Sequence, residues 1–271
     1  MPMDSPKISI CIPHWQVQSM MTACLRSIRK NSRRYDLQVI VVDNGSKDES
    51  IEYLRGLKWI KLIERPEEIH TNWPKNVFTA WDRGIEEADG EYYMTMHSDV
   101  LAKQGDWLDP FLREMNANSR VGGVGAWKLN LESPIYAWQK RVTGVAINAV
   151  KNLFGAKKRL IWKEGHYPRD YCAMYRRKFI VDHGLLFSRT MEFGGGYAMA
   201  KQLWDKGYTT RMIAISEMYK KVVHVAHGTA GAVSGKPLRH KRAQKKAEQK
   251  VRMLFEEKWV QELLNDDRLD R

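Results

Sequence analysis

Two short apolar runs rich in β-branched residues, Ile8 to Pro13 and Leu37 to Val42, enclose a stretch where Val17, Met20, Met21, Cys24, Leu25 and Ile28 recur at three-four spacing. The runs are too short for helices and carry few polar residues, so each reads as a buried strand. The stretch between them reads as a helix with one apolar side. The second run ends in Asp43-Asn44-Gly45-Ser46, a turn sequence. The unit is β-α-β, and it repeats. Trp59 to Ile63 is the next candidate strand, and Val77, Ala80, Trp81, Ile85 and Ala88 form a helical stripe closed by Gly90. Glu91 to Met96 then leads directly into His97-Ser98-Asp99. Strands alternating with helices in this way predict a mostly parallel central sheet flanked by helices, a Rossmann-like α/β arrangement that binds ligands beyond the carboxyl ends of its strands. Pro13, Asp43 and Asp99 all fall at such ends.

The second half is less regular. Strands are expected at Val121 to Leu129, Tyr171 to Arg176, Thr209 to Ile215 and Lys221 to Val225, with a helix at Tyr197 to Lys206. A final helix carries Val251, Leu254, Phe255, Trp259 and Leu263 on one side. No repeat or linker separates two domains, and 271 residues lie near the upper size for a single core. The expected division is one domain over 1–230, with a nucleotide-binding half at 1–100 and an acceptor half at 101–230, then a basic helical extension at 231–271. Cys11, Cys24 and Cys172 lie far apart, which fits reduced core thiols in a cytoplasmic protein. Residues 1–7 hold no signal-peptide stretch, and no run of about 18 apolar residues suggests a spanning helix.

Three pieces in order, Ile10-Cys11-Ile12-Pro13-His14-Trp15, then Val39-Ile40-Val41-Val42-Asp43-Asn44-Gly45-Ser46-Lys47-Asp48, then Met96-His97-Ser98-Asp99-Val100, resemble the signature of family 2 glycosyltransferases of the GT-A fold. The likeness is close from Ile8 to Val100 and loose beyond. It implies a metal-dependent enzyme that moves a sugar from a nucleotide diphosphate donor, UDP- or dTDP-linked, to a glycan or lipid-linked saccharide. Pro13, His14, Trp15, Asp43, Asn44 and Ser46 would then surround the nucleoside. Taken alone, Asp43 reads equally well as the cap of its own turn.

His97-Ser98-Asp99 stands where the family has Asp-x-Asp. A diphosphate leaving group gathers negative charge as the sugar departs, and a divalent ion bridging its oxygens stabilises that charge. Asp99 is the hard oxygen ligand that Mn²⁺ or Mg²⁺ takes. His97 replaces the first carboxylate and contacts either the ribose or the metal, with Ser98 between them. The resemblance places a late histidine on the metal. His224 is the first choice, with His227 as the alternate or as a diphosphate contact.

An inverting transfer also needs a base for the acceptor hydroxyl. The family carries an acid about three helical turns before a Gly that ends the following helix. Counting back from Gly207 reaches Gly195-Gly196, so the acid is missing from its slot. Glu192, beside three glycines, is the nearest substitute. Asp182 or another acid is the alternative, as is a retaining reaction that needs no such base.

Lys and Arg number 45 against 32 Asp and Glu, a net charge of +13, which attracts polyanions. From Ser133 to Lys163 no acid occurs, while Lys140, Arg141, Lys151, Lys157, Lys158, Arg159 and Lys163 mix with Trp138, Val142, Val145, Ile147, Leu153, Phe154 and Trp162. That mixture fits a segment lying on an anionic membrane surface, peripheral on its inner face, or a solvated helical face with an acceptor loop. Nucleic acid ranks below both, since no recognised module is present. Two rival functions share the fold: a non-catalytic nucleotide-sugar or polyanion binder, and a nucleotidyltransferase. The second is disfavoured because Ile8 to Ser19 holds no glycine to cradle a triphosphate.

Overall fold

The computed structural model describes residues 6–68, 73–127, 129, 134–156, 167–190, 194–225, 228 and 241–271. The repeat read from the first half is present as β1 (Ile8–His14), α1 (Gln18–Asn31), β2 (Leu37–Asp43), α2 (Ser50–Gly56), β3 (Ile60–Glu64), α3 (Trp73–Glu87) and β4 (Tyr92–Met96). β1 pairs in parallel with both β2 and β4, and β2 with β3. The chain steps outward from β1 to β3 and then returns to the other side of β1. This reversal opens a crevice at the carboxyl ends of β1 and β4.

Both faces of β1 and β4 and of most of β2 are dry, for a visible reason. Ile8, Ile10 and Ile12 join Val39, Val41, Met94 and the α1 residues Met21, Cys24, Leu25 and Ile28 in one core. The alternate residues Cys11, Ile40, Val42 and Tyr93 join Phe78, Ala80, Trp81 and Ile85 of α3 in a second core. Successive side chains of a strand point to opposite faces, so two helices on opposite faces require an unbroken apolar run. α3 sits close to the sheet because Gly84 has no side chain: a Cβ there would collide with Cys11 Sγ and lie 2.8 Å from the Tyr93 hydroxyl.

The seven-stranded sheet is completed by β6 (Val121–Ala126), β7 (Cys172–Arg176) and β8 (Thr209–Ile213), in the order β3-β2-β1-β4-β7-β6-β8. β7 runs antiparallel to β4 and β6. The expected strand at Lys221 to Val225 is shorter, as β9 (Val222–His224), and leaves the main sheet to pair with β5 (Val100–Ala102). β5 is only three residues long and carries no periodicity to find. Ile215–Lys221 is a helix, so the strand expected to reach Ile215 stops at Ile213. After α4 (Asp109–Asn116), Pro134–Leu153 forms one long helix, α5, inside the basic segment.

The single final helix is two, Lys241–Glu256 and Lys258–Asn265, with an extended residue at Glu257 between them. Leu254, Val260, Phe255 and Trp259 pack with Met20 and Ala23 of α1 and with Leu101 and Val225. The last residues are fastened by Arg26, which donates to Asp270 at 2.8 and 2.5 Å and to the carbonyls of Leu263 and Leu264. Among the described residues no helix is long and apolar enough to cross a membrane.

Candidate active site

The loops after β1 and β2 are stitched together at the sheet edge. Gln16 and Val17 have φ of 56° and 63°, a conformation that a β-branched residue such as Val17 rarely adopts. It persists because the Gln16 amide donates to Ser46 Oγ at 2.8 Å and the Val17 amide to Asp48 Oδ2 at 3.0 Å. Asp43 closes the same turn, accepting from the Gly45 and Ser46 amides at 3.0 Å each and from Ser46 Oγ at 2.5 Å. The capping role therefore exists, and only the remaining lone pairs of this buried carboxylate are open to a ligand. Asn44 accepts from Arg65 at 2.9 Å, and Arg65 also reaches Thr79 and pairs with Glu68. Sequence reasoning passed over Arg65, although it stands just past the end of β3 as Asn44 stands past β2. Trp15 is half-buried in the β1 loop, and Pro13 and Ser98 are buried.

His14 faces inward. Its Nε2 lies 2.8 Å from Ser50 Oγ, which itself donates to Asp48, so Nε2 carries the proton and Nδ1 is left buried without a partner. Burial pushes this imidazole down to about 4 from 6.5, against the opposing pull of Asp43 and Asp48. The unfolded chain therefore takes up a proton below about pH 6.5 that the folded chain refuses until about pH 4. Stability should be complete above that window and decline through it as pH falls. In His14→Gln the decline between pH 6.5 and 4 should flatten; parallel Tm profiles of the two proteins across this range would show otherwise.

Past β4 three side chains converge. One ligand atom each of His97, Asp99 and His224 falls within a group no wider than 4.8 Å. Asp99 Oδ1 lies 3.8 Å from His97 Nδ1 and 3.5 Å from His224 Nε2. Asp99 Oδ2 accepts from the Gly228 amide at 3.0 Å, while Oδ1 is buried with no hydrogen-bond partner, as is His97 Nε2. A buried carboxylate oxygen without a donor is costly. One carboxylate and two imidazoles turned toward each other form a donor set that suits a divalent ion and compensates that cost. Packing holds both rings: His97 stacks on Trp81 at 5.5 Å, and His224 stacks on Tyr171 at 4.3 Å and 5°. Gly228 allows the close approach, since a Cβ there would lie 3.0 Å from Asp99 Cβ. β9 brings His224 to Asp99 by pairing Val100 with His224.

Of the predicted residues, His97, Asp99 and His224 come together, and Asp43, Asn44 and Ser46 line the neighbouring turn. Glu192 and His227 lie outside the described residues. Asp182 is far from this cluster. β7 pairs its Arg176 with Tyr92 at the start of β4, and the helix Arg177–Asp182 continues from there, at the opposite end of the sheet.

A doubly wound sheet with an acid-histidine cluster past its fourth strand is the architecture of the GT-A class. The chain belongs to glycosyl transferase family 2, whose sequence profile matches residues 9–184. The fold resembles the mannosyltransferase PcManGT from Pyrobaculum calidifontis, solved with GDP-Man and Mn²⁺, at a TM-score of 0.55 and 15% identity over 96% of this chain and 73% of that one. It also resembles Staphylococcus aureus TarS 1-349, at 0.52 and 13% over 83% of this chain and 62% of that one. Among curated proteins, the chain is 31% identical over 106 residues to a PGL/p-HBAD biosynthesis glycosyltransferase of Mycobacterium tuberculosis, which is 39% of this chain and 40% of that protein. It is 27% identical over 108 residues to the putative glycosyltransferase EpsH of Bacillus subtilis, 40% of this chain and 28% of that one. The match thus spans less than half the length of either relative.

Proposed function

We propose that this protein transfers a sugar from a nucleotide diphosphate donor, UDP- or dTDP-linked, to a glycan or lipid-linked saccharide, with inversion. The observation that carries the reading is the unpartnered Asp99 Oδ1 facing two stacked imidazoles at the crevice of the sheet. Asp99, His97 and His224 would hold the ion, Mn²⁺ in preference to Mg²⁺ because two ligands are imidazoles. Bound there, it would neutralise the charge growing on the departing diphosphate. The Gly228 amide fixes the Asp99 carboxylate so that Oδ1 keeps its aim. The stitched loops, with Asn44 held by Arg65, offer a preformed seat to the nucleoside.

The competing reading is a polyanion binder without turnover. Thermal stabilisation separates them, because a ligand of the native state adds about 2.7 kcal/mol at a hundredfold excess over its Kd. UDP, dTDP or GDP with Mn²⁺ should raise Tm, and duplex DNA should not. Stabilisation by DNA alone would remove the enzymatic reading.

A second feature concerns where the acceptor is met. Val142, Ile147 and Val150 are each about half exposed along α5, and Leu153 and Phe154 at its end are 84% and 86% exposed. An apolar stripe on a helix in an acid-free basic segment fits the inner surface of an anionic bilayer, where a lipid-linked acceptor would lie. Vesicles with about a third anionic lipid should carry the protein in flotation at low salt. Leu153→Asp with Phe154→Asp should abolish this; flotation equal to wild type would clear α5 of the role.

A further inference from the structure

An acid from the segment before β7 stands beside Gly195-Gly196, where the expected slot holds none. β7 runs antiparallel to β4, so its beginning lies at the crevice: Cys172 pairs with Met96, and the Tyr171 carbonyl accepts from the His97 amide at 2.9 Å. Asp170 is one residue further out, next to the residue that contacts both His97 and His224. Its Oδ2 accepts from the Gly196 amide at 3.3 Å, in the first turn of the helix Gly195–Asp205. That helix must begin with glycine here, since a Cβ at Gly196 would lie 2.7 Å from the Pro168 carbonyl and 3.3 Å from Asp170 Cβ. A carboxylate side chain on Gly196 would thus contest the space Asp170 fills. A Cβ on Gly194 would lie 3.9 Å from Asp170 Oδ2 and 4.0 Å from Phe78, and Phe78 stacks on Trp81, which stacks on His97, so a run of aromatic rings leads from this turn to the metal cluster.

We propose that Asp170 is the general base of the transfer. The inference rests on the glycosyl-transfer reading above. The acceptor hydroxyl gives its proton to a carboxylate oxygen of Asp170, and its oxygen pair forms the bond to the anomeric carbon. The bond from that carbon to the phosphate oxygen breaks, and its electron pair leaves on the nucleoside diphosphate. No further reactant is needed.

The test compares wild type, Asp170→Asn and Glu192→Gln. A panel of UDP-, dTDP- and GDP-sugars with Mn²⁺ is the probe, water is the acceptor, and release of nucleoside diphosphate is the readout, alongside Tm with each nucleotide and Mn²⁺. Asparagine can still accept from Gly196, so the helix start is preserved. Asp170→Asn should keep the wild-type nucleotide stabilisation and lose about 10²- to 10⁴-fold in turnover, while Glu192→Gln keeps most of its turnover. Turnover of Asp170→Asn within threefold of wild type overturns the assignment, and so does loss of nucleotide stabilisation, which would mark a structural role. A loss confined to Glu192→Gln moves the base to Glu192. If Asp170→Asn does not fold, Asp170→Glu carries the test, with turnover expected to fall more than tenfold at unchanged stabilisation. A wild type that binds nucleotide but turns over no donor in the panel removes the transfer reading itself, and the base with it.

Discussion

Asp99→Ala is expected to lose about 10³-fold in turnover together with its response to Mn²⁺. The carboxylate has two jobs on separate oxygens. Oδ2 accepts from Gly228, and Oδ1 faces His97 and His224 with no donor of its own. Alanine removes both, but the Gly228 amide keeps its bond to the Val225 carbonyl at 2.7 Å, so the loss of stability should be only about 0.5–1.5 kcal/mol. Asp99→Asn isolates the second job. Its amide oxygen can still accept from Gly228, so stability should stay near wild type while Mn²⁺ no longer raises Tm in the presence of nucleotide. Chelation with EDTA should bring the wild type to the same state, with Mn²⁺ restoring more than Mg²⁺. An Asp99→Asn protein that keeps its Mn²⁺ response would place the ion elsewhere.

The second large effect is on stability. Arg26 is 8% exposed and Asp270 22%, and the guanidinium makes two bonds to that carboxylate and one each to Leu263 and Leu264. Asp270 holds this guanidinium above its usual range by the hydrogen bonds and charge it contributes. Removing one partner of a buried pair costs about 3–5 kcal/mol. Arg26→Ala should fall at the low end, since Asp270 can recover some water. A loss of about 3 kcal/mol corresponds to a Tm lower by about 6–12 °C for a chain of this size. Arg26→Lys should rescue little, because an ammonium cannot make the bidentate contact and reach two carbonyls at once. A Tm shift under about 2 °C would mean that the apolar contacts of Leu254, Val260 and Leu263 hold the C-terminal helices without this clamp.

Much of the first half was legible because its signals are local. The central strands β1, β2 and β4 are largely apolar runs, the covering helices α1 and α3 carry apolar stripes, and the candidate site residues end a strand or follow it directly: His14, Asp43 and His97 to Asp99. The second half is less local. Asp182, at the end of the helix after β7, lies at the opposite end of the sheet from the cluster, whereas Asp170, just before β7, lies at the crevice end. β5 and β9 are three-residue strands whose pairing with each other no periodicity announces, yet this pairing sets His224 against Asp99. Arg65 drew no notice because its partners, Asn44, Glu68 and Thr79, belong to three different segments.

By itself the sequence determined the α/β class, the strand ends that carry the site, and the pairing of acid with histidine in one motif, since apolar period and turn chemistry act over a few residues. The antiparallel run of β7, the partner of β9, and the approach of Asp170 to Gly196 were decided only by tertiary structure. They depend on which distant segments satisfy each other's hydrogen bonds and share the same space, and a pattern along the chain does not encode that choice.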